Sequence, residues 1–170
     1  MITMVEFKVV KEDITKLTVD TIVNAANSNL LRGSGVCGAI FRAAGPELDE
    51  ECHSIGHCST GDAVITKGYN LPFLHIIHAV GPIYEQDKKN AASLLASAYS
   101  RALCLAEDHQ ISSIAFPCIS TGVYGYPKED AAKIAVTTCK ENQFKHIKQI
   151  VFCCFDEQSF KIYNSLLRQY

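Results

Sequence analysis

The feature that most constrains this chain is the alternation of two hydrophobic periods along its length. Short runs rich in β-branched and aromatic residues at 7–10, 21–23, 62–66, 73–79, 113–116 and 149–155 read as strands, several of them apolar on both faces. Helical segments fall between or after them at 35–44, 47–55, 90–109, 128–141 and 157–169. In the clearest of these, Leu94, Leu95, Ala98, Ala102 and Leu105 or Ala106 form one apolar stripe. Pro46 and Pro127 stand where helices begin, Glu129 and Asp130 follow where a helix dipole favours carboxylates, and Asp156 is a candidate N-cap. Strands interleaved with helices predict an α/β fold with the sheet covered on both faces. The segments 62–66 and 73–79 lie too close for a crossover helix. That pair is expected to run antiparallel or to lie across a tight turn, which makes the sheet mixed.

The 170 residues fit one domain, 1–170, and 48% apolar residues can fill its core without disulfides or metals. The net charge of −2 lacks the basic excess of a protein that lives on a phosphate backbone, so nucleic acid is not an expected partner. No apolar run approaches the length of a membrane span, and the first ten residues alternate apolar and polar instead of carrying a targeting pattern. A cytoplasmic protein without a membrane association is expected. Most of the eight cysteines sit inside apolar stretches, where reduced, buried thiols explain them better than a disulfide framework.

Two segments can carry chemistry. The first is V-N-A-A-N-S-N-L-L-R-G-S-G-V-C-G-A-I-F-R-A-A-G, residues 23–45. A strand ends in Asn24 and Asn27, and Gly33-Ser34-Gly35 then opens a helix. Glycines let the backbone approach a ligand, and a helix N-terminus offers N–H groups to an anion. The same turn is also compatible with an ordinary loop. Gly33, Gly35 and Gly38 match G-x-G-x-x-G, but Asn24 to Arg32 separate them from the strand. The acidic residue expected about 20 positions on is also missing, which argues against a nicotinamide-dependent dehydrogenase. The second segment follows the strand at 113–116: Cys118, Ile119, Ser120, Thr121, Gly122, Val123, Tyr124, Gly125, Tyr126, Pro127. Two such strand-to-loop-to-helix junctions can hold a pyrophosphate between them.

The blocks N-A-A-N-S-N-L, G-x-G-V-x-G-A-I-x-R-A-A-G-P and I-S-T-G-V-Y-G-Y-P resemble the macrodomain family, nearest to its MacroD-type and bacterial hydrolase branch. Supporting stretches lie at 12–15, 60–63, 77–82 and 152–156, so the resemblance runs through nearly the whole chain. It implies a three-layer α/β/α sandwich around a mixed, mostly six-stranded sheet, with a cleft for ADP-ribose at the strand ends. It implies that Asp13 accepts from the adenine amino group, that Ile14 lies beside the base, and that Phe155 flanks it. Backbone amides of Gly35 and Val36, and of Ser120, Thr121, Gly122, Val123 and Tyr124, would hold the phosphates. Asn24, Asn27 and Cys37 would line the site, with Asn27 and Gly35 at the reacting centre and Tyr124 against the distal ribose. Neutral amides can hold a pyrophosphate without Lys or Arg, which suits the charge balance.

The chain also departs from that pattern. Active MacroD-type members carry Asp and His where this chain has Cys37 and Phe41. A nucleophilic cysteine needs a base, and Phe41 cannot serve, so Cys37 is read as lining the site. The run Cys52-His53-Ser54-Ile55-Gly56-His57-Cys58 offers four donors, but Gly56 interrupts the helix that would align the histidines, and no metal is expected. No cofactor is expected either. Two functions follow. One is a hydrolase of mono-ADP-ribosyl esters, on protein Asp and Glu side chains or on O-acetyl-ADP-ribose, with water held by the substrate phosphate and Asn27. The other is a non-catalytic reader of ADP-ribose. The missing Asp favours the reader, and a solitary domain favours the enzyme. The expected partners are ADP-ribose and mono-ADP-ribosylated proteins.

Overall fold

The computed structural model describes residues 2 and 4–169. Six strands form one sheet: β1 (Glu6–Lys11), β2 (Thr21–Ala25), β3 (Ala63–Lys67), β4 (His75–Ala79), β5 (Ser113–Phe116) and β6 (Gln149–Cys154). Their order is β1-β6-β5-β2-β4-β3. Every pairing is parallel except β3 with β4, which is antiparallel and makes the sheet mixed, as the short spacing between those segments implied. Five helices follow the strands: α1 (Gly35–Ala44), α2 (Pro46–Ile55), α3 (Ala91–Asp108), α4 (Lys128–Glu141) and α5 (Glu157–Arg168).

The period of two in the strands builds two cores. Ile22, Ile76, Ala115 and Val151 pack with Ile40, Phe41 and Leu48 of α1 and α2 on one face. Their neighbours Val23, Ile77, Ile114 and Phe152 point the other way, to Leu95, Tyr99, Val136 and Tyr163 of α3, α4 and α5. The result is the expected α/β/α sandwich. Strands buried on both faces are mostly apolar, which is why the middles of β2, β4 and β6 read as apolar runs; Thr21, Asn24 and His78 are buried polar exceptions.

Most boundaries shift by one or two residues from the sequence reading, and two of the shifts bear on the turns. Residues 73 and 74 belong to a turn, in which Gly68 N–H donates to the Leu74 carbonyl at 3.2 Å and Leu71 N–H to the Gly68 carbonyl at 3.1 Å. A Cβ on Gly68 would collide with the Phe73 carbonyl, so the turn needs a glycine there. At the other end, β6 stops at Cys154 and Phe155 lies just past it. All eight cysteines are free; six are buried and Cys104 alone is exposed.

Candidate functional site

The C-terminal ends of the parallel strands β2, β4, β5 and β6 share one edge of the sheet. From there the chain leaves β2 toward α1 on one face and leaves β5 toward α4 on the other. Connections that part to opposite faces between neighbouring parallel strands open a crevice. The two strands are paired only at Thr21 with Ile114 and Ile22 with Ala115, so β2 runs on beyond the pairing. A cleft of about 540 Å³ lies at this point, lined by residues 25–27, 33–37 and 117–124 with Gly81, Lys128, Cys153, Phe155 and Asp156.

One wall is the loop from β2 into α1. Gly35 has φ +58, a conformation that favours glycine, and it turns the chain into the helix. Gly38 packs one turn on, where a Cβ would stand 2.5 Å from the Gly33 carbonyl oxygen. Among the described residues, the N–H groups of Gly35, Val36 and Cys37 have no acceptor, as the first turn of a helix leaves them. Asn27 sits half-buried beside them. Its Nδ2 donates to the Leu31 carbonyl at 2.9 Å and its Oδ1 accepts from Leu31 N–H at 3.0 Å. The amide plane is thereby fixed, with one N–H still to give.

The opposite wall is the loop from β5 into α4. Ser120 holds φ +70, an uncommon state for a residue with a side chain. Its hydroxyl donates to the Pro82 carbonyl at 2.8 Å, and its own carbonyl accepts from Tyr126 N–H at 2.9 Å. Gly81 leaves room for this hydroxyl, because a Cβ there would overlap Ser120 Oγ. Among the described residues, the N–H groups of Gly122, Val123 and Tyr124 also take no acceptor. The Tyr124 carbonyl accepts from Tyr84 N–H at 2.9 Å, which anchors the tip of the loop. At one end of the cleft, Phe155 is 83% exposed. Beside it Asp156 caps α5 by accepting from Ser159 N–H at 2.7 Å, and Lys128 Nζ reaches it at 3.2 Å. The Ser159 amide holds the Asp156 carboxyl below the usual carboxylate range.

Of the residues singled out in the sequence, Asn27, Gly35, Val36, Cys37, Ser120, Thr121, Gly122, Val123, Tyr124 and Phe155 line this cleft. Three do not. Asp13 follows β1 at the same edge, exposed, and caps a short 3-10 turn by accepting from Thr15 Oγ1 at 2.7 Å and Thr15 N–H at 3.0 Å. Those two bonds, the hydroxyl first, lower its pKa. Ile14 is buried in the core against α1. Asn24 is fully buried. Its Nδ2 donates to His78 Nδ1 at 3.1 Å and to Cys37 Sγ at 3.5 Å, and its Oδ1 has no partner. His78 Nε2 then donates to Thr66 Oγ1 at 2.9 Å, and Thr66 donates to the Lys67 carbonyl at 3.1 Å. Burial lowers the pKa of His78 to about 4, so the ring is neutral and can accept at one nitrogen and donate at the other.

Lys128, Asp156, Cys118, Cys153 and Gly81 line the cleft without having been singled out as site residues. Lys128 and Asp156 carried signals as helix starts, and Asp156 as the end of the supporting stretch 152–156, but no spacing shows that two helix starts meet. In the run 52–58, Cys52 and Cys58 are buried while His53 and His57 face solvent. Burial pushes the two thiols up to about 12 and about 11. Among the described residues no three His, Cys, Asp or Glu side chains are placed to hold a metal ion.

An α/β/α sandwich with unpaired backbone donors on both walls of a crevice at its strand ends defines a class of protein whose cleft suits an anion held mainly on backbone amides. Within that class the chain belongs to the macro domain family, whose pattern matches residues 23–135. It is 51% identical over 167 residues to an O-acetyl-ADP-ribose deacetylase of Escherichia fergusonii, covering 95% of this chain and 94% of that one. It is 52% identical over 164 residues to the ADP-ribose glycohydrolase MACROD2 of Xenopus laevis, covering 94% of this chain and 39% of that longer protein. Among solved structures it resembles the Oceanobacillus iheyensis macrodomain with ADP, at 42% identity and a TM-score of 0.92, covering 99% and 95% of the two chains. It also resembles the Trypanosoma brucei macrodomain in complex with ADP-ribose, at 39% identity and a TM-score of 0.86, covering 95% and 68%.

Proposed function

We propose that this chain binds ADP-ribose in the cleft and hydrolyses mono-ADP-ribosyl esters, either on protein Asp and Glu side chains or as O-acetyl-ADP-ribose. The observation that carries the reading is the pair of facing rows of unpaired N–H groups, Gly35 to Cys37 and Gly122 to Tyr124, across one cleft. Three donors on each side suit a pyrophosphate, and the α1 terminus adds its dipole. Phe155 offers a ring face for a base at the cleft's end, and Tyr124 packs near the distal ribose. Asp13 then reads the adenine amino group from just beyond the cleft lining, with Ile14 beneath it. Asn24 supports the site from below through Cys37.

Asn27 directs its remaining N–H to the distal ribose and, with the substrate's own phosphate, holds the attacking water. One water cleaves the ester C–O bond: the acid leaves as a complete carboxyl group and ADP-ribose leaves with a hydroxyl, the two products sharing the water's H and OH. The Cys37 thiol lines the pocket and does not attack, because its side-chain neighbours are an amide and a carbonyl and not a base. The names of the relatives support the hydrolytic part.

The reader without catalysis is favoured by one specific observation, the thiol of Cys37 in place of a carboxylate. One experiment separates the two. The protein is mixed with a substrate mono-ADP-ribosylated on Glu or Asp, and release of ADP-ribose is followed alongside calorimetry with free ADP-ribose. Release in the presence of a chelator is the expected result. Tight binding without release leaves the reader, and no binding overturns both.

A further inference from the structure

Three thiols line the cleft, Cys37, Cys118 and Cys153, and they are not equivalent. Cys37 Sγ is held by the Asn24 amide, and Cys153 Sγ donates to the Glu12 carbonyl at 3.3 Å. Cys118 is the only half-buried one of the three and has a second thiol against it: its Sγ lies 3.9 Å from Cys154 Sγ. The closeness follows from the sheet. Phe116 pairs with Phe152, and the same parallel register continued two residues on sets Cys118 beside Cys154. A period of two places both on the face of their Phe neighbours, so both thiols point to the α3–α5 side. Cys154 is fully buried, so a reagent entering from the cleft meets Cys118 first.

We propose that Cys118 and Cys154 form an oxidisable thiol pair in the floor of the cleft, closed to a disulfide by hydrogen peroxide, and that closure weakens ligand binding. The chemistry balances with peroxide as the only co-reactant. The Cys118 sulfur attacks the O–O bond, becomes a sulfenic acid, and one water leaves. The Cys154 sulfur then displaces that hydroxyl as a second water and forms the S–S bond. Two thiols are oxidised by two electrons, and the peroxide is reduced to two waters. Closing the bond draws the sulfurs from 3.9 Å to about 2 Å. The Cys118 backbone is tied to the loop that follows it, since its carbonyl accepts from Thr121 Oγ1 at 3.0 Å and Thr121 N–H at 3.4 Å. A pull at Cys118 therefore shifts the wall that carries the Gly122 to Tyr124 amides.

The affinity arm rests on the ADP-ribose reading, while the chemical arm does not. The 170-residue chain is treated with hydrogen peroxide, unfolded, and titrated for free thiols. Its peptides are then mapped without reduction. The expected result is a count that falls from eight to six, a single 118–154 cross-linked peptide, and recovery of all eight thiols with a reductant. Losing one backbone hydrogen bond to the anion weakens ADP-ribose binding by about tenfold, and reduction restores it. C154S, which changes a residue outside the cleft lining, is expected to bind ADP-ribose like the wild type and to keep that affinity after peroxide. Eight thiols retained, a cross-link between other cysteines, or unchanged affinity in the fully cross-linked protein would each overturn the proposal. Failure of the reduced wild type to bind ADP-ribose overturns the functional reading instead. The 118–154 peptide remains readable in that case, with the rate of proteolytic cleavage in the 118–127 loop before and after oxidation as its structural readout.

Discussion

Single side chains in this cleft have separable jobs. Asn27 holds its amide plane with two bonds to Leu31 and keeps one donor for the ligand. Asn27→Ala is expected to cut turnover by roughly 100-fold, the cost of misplacing a reacting group by about 1 Å, while ADP-ribose affinity falls less. Cys37→Ala is expected to keep much of the activity; complete loss with intact affinity would make the thiol catalytic. His78 makes a prediction in pH. Its folded pKa of about 4 lies below the usual imidazole value, so between the two the unfolded chain binds the extra proton. The stabilisation is full above about pH 6.5 and is lost as pH falls toward 4, by up to about 3 kcal/mol. His78→Gln can hydrogen-bond to Asn24 and Thr66 but does not titrate. Urea unfolding at a series of pH values should give it a flatter slope than the wild type over that window.

Elements set where those side chains stand. Asp156 begins α5 and closes one end of the cleft, so Asp156→Ala should cost about 1 kcal/mol in chemical unfolding through the lost cap. The half-exposed ion pair with Lys128 adds little to that. Gly38 is a sharper probe, because the carbonyl its Cβ would strike belongs to the loop that forms one wall. Gly38→Ala should weaken ADP-ribose binding while the far-UV spectrum stays native. Most elements were legible in the sequence, because a strand buried on both faces is mostly apolar and α3 must carry a stripe. The two cleft loops were legible through their glycines. What escaped was pairing across distance. Nothing near Lys128 in sequence announces Asp156, and nothing near Asn24 announces that His78 and Cys37 take its amide inside the core. Asp13 shows the opposite case: its acidic type suits a base-reading role, while its local geometry also serves a 3-10 turn.

At the scale of the whole molecule, a ligand that binds only the folded state should raise its stability by about 2.7 kcal/mol at a hundred times its dissociation constant. Thermal unfolding with ADP-ribose, and with the inosine analogue as control, tests this directly. A smaller shift for inosine is expected if Asp13 reads the amino group, and equal shifts would remove Asp13 from that role. The two register pairs that join β2 to β5 carry one more consequence. The narrowest part of the sheet's hydrogen bonding runs beneath the cleft, with β1, β6 and β5 to one side and β2, β4 and β3 to the other. Facing walls that hold one diphosphate bridge that seam from above, as a staple holds two boards. A bound ligand then acts as a mechanical cross-tie between the halves. Amide hydrogens of Val23, Asn24 and Ala115, which do not line the cleft, should exchange more slowly once the cleft is filled.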